Sequence, residues 1–109
     1  MWLETQDGNI INLDNVARVY ITGRKVSEPD YLWPTVYAQF IDANREVDSV
    51  LFKSEFDPEE HGGCRGREEC QLYIDRLFRL IDQRTSMGKS ISHEDIAPFV
   101  RQQRKNIEE

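Results

Sequence analysis

The sequence predicts an α+β domain, an antiparallel meander of about four strands covered on one face by a single main helix, with a short helix at the C-terminus. Three observations predict it. Two pairs of β-rich segments are each joined by turn residues, an apolar stripe of helical period runs through CQLYIDRLFRLI, and 109 residues suffice for one core but hardly for two.

The elements follow in order. Trp2 to Gln6, the dipeptide Asp7-Gly8, and Asn9 to Leu13 read as a β-hairpin, because Asp-Gly tolerates the positive backbone angles of a tight turn. In NLDNVARVYIT, Ala17, Val19 and Ile21 alternate with Arg18, Tyr20 and Thr22, and the content of β-branched residues favours a strand. Leu13, Val16, Ala17 and Tyr20 also fit a helical spacing, but the segment is short. Residues 23–34, GRKVSEPDYLWP, read as a polar connector holding two prolines. TVYAQFID and EVDSVLFKSEF form a second hairpin turning near Asn44, with Val36, Ala38 and Phe40 on one face.

Asp57-Pro58-Glu59-Glu60 has the composition of a helix start, and Gly62-Gly63 then break it. The helix restarts near Arg67 and runs to Arg84. Cys70, Ile74, Leu77 and Ile81 set its stripe, Tyr73 and Leu80 widen it, and Asp75, Arg76, Arg79 and Asp82 point away. Residues 1–84 make the meander-plus-helix domain and 85–109 a tail. In the tail, Ser92 and Asp95 have capping spacing, Pro98 must lie in the first turn, and Ile96, Phe99 and Val100 form an apolar face.

Charge excludes some partners. The net charge is −6, which argues against nucleic acid or an anionic membrane as the principal partner. It is uneven: residues 1–63 hold twelve Asp/Glu against five Lys/Arg, or −7, and residues 64–109 hold eight against nine, or +1. Nothing approaches the length of a membrane-spanning helix, and MWLETQDG lacks the features of a signal peptide. A cytosolic setting with reduced thiols is therefore expected.

The densest stretch is HGGCRGREEC at 61–70. A zinc site from His61, Cys64, Cys70 and His93 needs the tail to fold back, and the usual two-residue cysteine spacing is absent. Gly88-Lys89-Ser90 lacks the upstream glycine of a phosphate loop, since Gln83 stands there. Cys70 belongs to the apolar stripe and reads as a buried hydrophobe, whereas Cys64, flanked by Arg65 and Arg67, is the candidate reactive thiol. No catalytic set is assembled, and no metal or cofactor is implied.

Binding is better served. Tyr31 and Trp33 in DYLWP, with Ile96, Phe99 and Val100 in the tail, are the candidate interface residues. The tail face must bury itself against its own sheet, a second copy or a partner. The expected function is thus a non-enzymatic protein-interaction or regulatory module, engaging a protein partner or itself. The competing expectation is a small-molecule or anion-binding domain, or a weak enzyme, using the Gly62–Arg67 loop. Finally, the tryptophan strand followed by DGNIINLDNVARVYI, with the YIDRLFRLI helix, resembles short uncharacterised bacterial and phage-type proteins. The resemblance implies a β-meander closed by a helix and carries over no activity.

Overall fold

The computed structural model describes residues 1–25, 32–42, 45–56, 63–84 and 90–108. The fold is α+β, as the sequence predicts. Strands β1 (Trp2–Glu4) and β2 (Ile10–Asn12) lead through a 3-10 turn (Leu13–Asn15) to β3 (Val16–Lys25), β4 (Leu32–Asp42) and β5 (Arg45–Lys53). Helix α1 (Gly63–Arg84) follows, then a 3-10 turn (His93–Asp95) and helix α2 (Ala97–Glu108). The strands divide into a small sheet β1-β2 and a meander β3-β4-β5, all antiparallel.

The division has a local cause. Gly8 takes φ +86°, the left-handed conformation that closes the first hairpin. At its far end, Asn12 Oδ1 accepts from the Asp14 N–H (3.0 Å), so the chain turns out of the small sheet before β3 begins. What sequence reads as one meander is therefore two sheets.

A β-bulge explains the double reading of residues 13–22. Val16 pairs with Phe40 and Arg18 with Gln39, which leaves Ala17 as an extra residue on β3. Beyond it, Val19 opposes Ala38 and Ile21 opposes Val36. Val16 and Val19 thus share a face at a spacing of three, and that is why a helical period also fitted. Ala17, expected on the Val19 face, is exposed. A second bulge between Val36 and Tyr37 leaves Leu51 extra on β5, and both Leu51 and Phe52 are buried.

The connector is shorter than expected, because β3 continues to Lys25 and β4 starts at Leu32. Pro34 sits within β4, opposite Gly23, although it has no N–H to give. Its carbonyl accepts from Ser54 N–H (3.0 Å), just past the end of β5, so its nitrogen faces a place where the ladder has stopped. Asn44 lies outside the described residues.

Helix α1 starts at Gly63, not near Arg67. The glycines there do not break it. A Cβ on Gly66 would lie 2.7 Å from Pro34 Cγ and 3.0 Å from Ser54 Oγ, so Gly66 lets the first turns rest directly on the sheet. The predicted stripe is then buried: Cys70, Tyr73, Ile74, Leu77 and Leu80 pack with Val36, Ala38 and Phe52. The tail adds Ile91, Ile96 and Val100 to the same core. Ile91 bridges to Leu3 in parallel, with Glu4 N–H donating to Ile91 O (2.9 Å) and Ile91 N–H to Trp2 O (2.8 Å). Ser92 N–H donates to Asp95 Oδ2 (2.9 Å), which uses the predicted capping pair, and α2 begins at Ala97 with Pro98 second. No described helix is long and apolar enough to cross a membrane.

Neighbouring residues on α1 should respond oppositely to the same substitution. Leu77 is fully buried and Phe78 is 51% exposed. Leu77→Asp places an unpaired charge in the core and should remove more than about 3 kcal/mol, abolishing the cooperative melt. Phe78→Asp should cost about 1 kcal/mol and keep the far-UV spectrum. Circular dichroism with thermal melts of both variants checks this.

Candidate functional site

Part of the apolar surface left over by this packing lies on α1, where Phe78 stands off the buried stripe. Phe78 and Ile81, on the C-terminal half of α1, stand beside Val16 and Val19; Ile81, Val16 and Val19 are partly buried against the core and Phe78 is exposed. Leu13 and Met1 close the end, and the result is an open groove of about 530 Å³. Among the described residues, its ionisable side chains are Asp14 and Arg18, both exposed at the rim. Phe78 is, among the described residues, one of four large hydrophobic residues on the exposed surface, with Trp2, Ile10 and Val47. Trp2 and Ile10 project from the small sheet into a second groove of about 440 Å³, which Glu4, Ser90, Ser92 and Asp95 also line. A groove whose walls are aliphatic on one side and aromatic on the other is the better apolar receptor.

The open edge of β3 runs along this groove. Within the meander, β3 has β4 on one side and no strand on the other among the described residues. The opposite edge, on β5, is partly occupied: Gln6 N–H donates to Leu51 O (3.0 Å), Lys53 N–H donates to Gln6 Oε1 (2.9 Å), and Gln6 Nε2 donates to Lys53 O (3.3 Å).

The sheet face away from α1 carries rings and cations already engaged with one another. Tyr20 and Tyr37 stack at 5.6 Å, Arg18 lies 4.4 Å over Tyr20, and Tyr20 Oη donates to Asp48 Oδ1 (2.8 Å). Lys53 lies 4.5 Å over Trp33, whose Nε1 donates to Ser54 O (2.6 Å). Burial and the Asp48 hydrogen bond raise the Tyr20 hydroxyl pKa.

The residues singled out from sequence are dispersed. Ile96 and Val100 are buried within this chain's own core, and Phe99 is half-buried beneath the Arg76 guanidinium (5.2 Å). Trp33 is half-buried and hydrogen-bonded as above, while Tyr31, His61 and the Cys64 thiol lie outside the described residues and side chains. The Gly62–Arg67 loop is corrected from Gly63 onward, where the chain is the first turn of α1 seated on Pro34. Among the described residues no three metal-ligating side chains come together.

Sequence reading passed over Phe78, although its signal was there: it is the one large apolar residue of YIDRLFRLI that lies off the stripe. It also passed over Glu69, which is fully buried and accepts from Glu55 N–H (2.7 Å), tying the exit of β5 to the helix. At the junction of α1 with the tail, Tyr73 stacks on Phe52 (4.8 Å), and Tyr73 Oη, Arg76 Nε and His93 Nδ1 find no hydrogen-bond partner among the described residues. Burial raises the Tyr73 hydroxyl and, with the adjacent Glu69 carboxylate, pushes the Cys70 thiol up to about 12. These groups are sealed in the core and open onto neither groove.

Comparison with family models, with curated proteins and with solved structures finds no match to the chain, so its own geometry carries the functional reading.

The buried thiol has a pH signature. Cys70 keeps its proton in the fold to about pH 12, whereas an unfolded cysteine loses it near pH 8.5. The stabilisation is complete below the unfolded value and is lost as pH rises towards the folded one, at about 1.4 kcal/mol per pH unit. Between about pH 9 and pH 11 the wild type should lose stability faster than Cys70→Ala, as read by denaturant melts. Parallel slopes for the two proteins would contradict the placement of the thiol.

Proposed function

We propose that the protein is a non-catalytic interaction module that receives a protein partner in the groove between β3 and α1. One observation carries this: Phe78, half exposed, stands with Ile81, Val16 and Val19 around an apolar groove that no described part of the chain fills. Aromatic side chains at the centre of such a concavity make effective anchors, since the water they release on contact is gained at little cost in side-chain order. The working surface thereby moves from Ile96 and Val100, which serve the core, to Phe78. A cytosolic setting agrees with Cys70 kept as a buried free thiol.

A photo-crosslinking amino acid placed at Phe78, with Arg79 on the solvent face of the same helix as control, tests the proposal in the native cell. A discrete protein adduct at position 78, absent at 79 and lost when Val19→Asp is added, is the expected result. Equal labelling at the two positions, or an adduct with the mass increment of a small molecule, overturns it and favours a ligand pocket.

A further inference from the structure

We infer that the partner enters as an acidic, extended polypeptide segment that adds to the free edge of β3 as a fourth strand of the meander; this rests on the groove reading above. The geometry of a missing strand is already present. An edge strand offers unpaired N–H and C=O groups, and proteins ordinarily blunt such edges. Here β5 is blunted by Gln6, through its backbone at Leu51 and its side chain at Lys53. The ten-residue β3 has no such cover among the described residues. A strand laid against it would pass beside Phe78 where the start of β3 lines the groove, the exposed large apolar residue of α1 there. Alternate side chains of the incoming strand would then face the groove, continuing the row of Val19 and Ile21. The bulge at Ala17 twists the start of β3, which leaves the run from Arg18 onward as the pairing length.

Charge selects the occupant. VARVYITGRK holds three of the chain's 14 Lys/Arg and none of its 20 Asp/Glu, so this strand is +3 in a protein of net −6. A second copy paired antiparallel about Ile21 would set Arg18 against Arg24 and Ala17 against Lys25. Shifting the centre half a residue towards Lys25 sets Arg18 against Lys25, so self-pairing meets like charges in both of these registers. An alternating segment with apolar residues on the groove side and carboxylates among the others satisfies both features, and it would associate faster at low salt.

The test mixes full-length protein at millimolar peptide with three ten-residue peptides: alternating valine and glutamate, the same composition shuffled, and alternating valine and lysine. Amide hydrogen exchange is followed along the chain. The valine–glutamate peptide should slow exchange within residues 16–25 and leave β5 unchanged, with Arg18→Glu weakening binding about tenfold, because a favourable cross-strand pair becomes a repulsive one. Phe78→Asp, checked for an intact melt, should weaken it as well. Equal protection by the shuffled peptide overturns strand addition, and preference for the lysine peptide overturns the charge assignment. Protection of β3 that grows with protein concentration alone makes a second copy the occupant, against the inference. If no peptide protects β3 while the crosslink from position 78 persists, strand addition fails and the groove proposal stands; if both are absent, both fail.

Discussion

The close seat of α1 on the sheet at Gly66 is the contact on which the rest of the structure depends. Helix backbone and sheet backbone can approach there only because Gly66 has no Cβ to strike Pro34 and Ser54. Ser54 is the common point of the joint. Its N–H donates to Pro34 O (3.0 Å), its carbonyl accepts from Trp33 Nε1 (2.6 Å), and its hydroxyl accepts from Phe56 N–H (3.0 Å). One residue further on, Glu69 holds Glu55 N–H from within the core (2.7 Å). Polar groups at the exit of β5 are thereby satisfied without water, and the start of α1 is fixed in both distance and rotation.

Once that end is fixed, the position of the other end follows. Pro34 pairs with Gly23 and Val16 pairs with Phe40. A helix of 22 residues seated at Pro34 and reaching Val16 therefore runs from one end of the meander towards the other, ending near the start of β3. Phe78 and Ile81 come to stand there beside Val16 and Val19. The groove is in this sense a consequence of the seat at Gly66. The tail stabilises the arrangement from the other side, where Ile91, Ile96 and Val100 complete the core and leave the groove untouched.

Much of the fold was legible because it is encoded locally. Asp7-Gly8 announced its turn, and the α1 stripe announced its buried face, since both follow from short-range periodicity and backbone preference. Two features were misread for the same physical reason: their meaning lies in tertiary contact. Gly62-Gly63 looked like a break, yet Gly63 opens α1 and Gly66, a turn further on, serves an approach to Pro34 that only the folded chain reveals. Val16, Ala17 and Val19 looked equally helical because a bulge against Phe40 and Gln39 shifts the alternation. The candidate site was less legible still. Ile96 and Val100 were singled out for their apolarity, but apolarity in sequence does not say which residues meet a neighbour. Phe78 differs from Leu77 in lying off the stripe, and the sequence does not state that Val16 and Val19 stand beside it.

The most direct measurement concerns Gly66 itself. In an ordinary helix interior, glycine to alanine raises stability by about 1 kcal/mol. At this site the added methyl must force apart Pro34 and Ser54, and overpacking of that kind costs about 1–3 kcal/mol. Denaturant unfolding of Gly66→Ala, with Gly66→Val as the larger step, should therefore show a loss of stability that grows with side-chain size. A Gly66→Ala protein more stable than the parent would contradict the account, because the first turns of α1 would then not rest on the sheet.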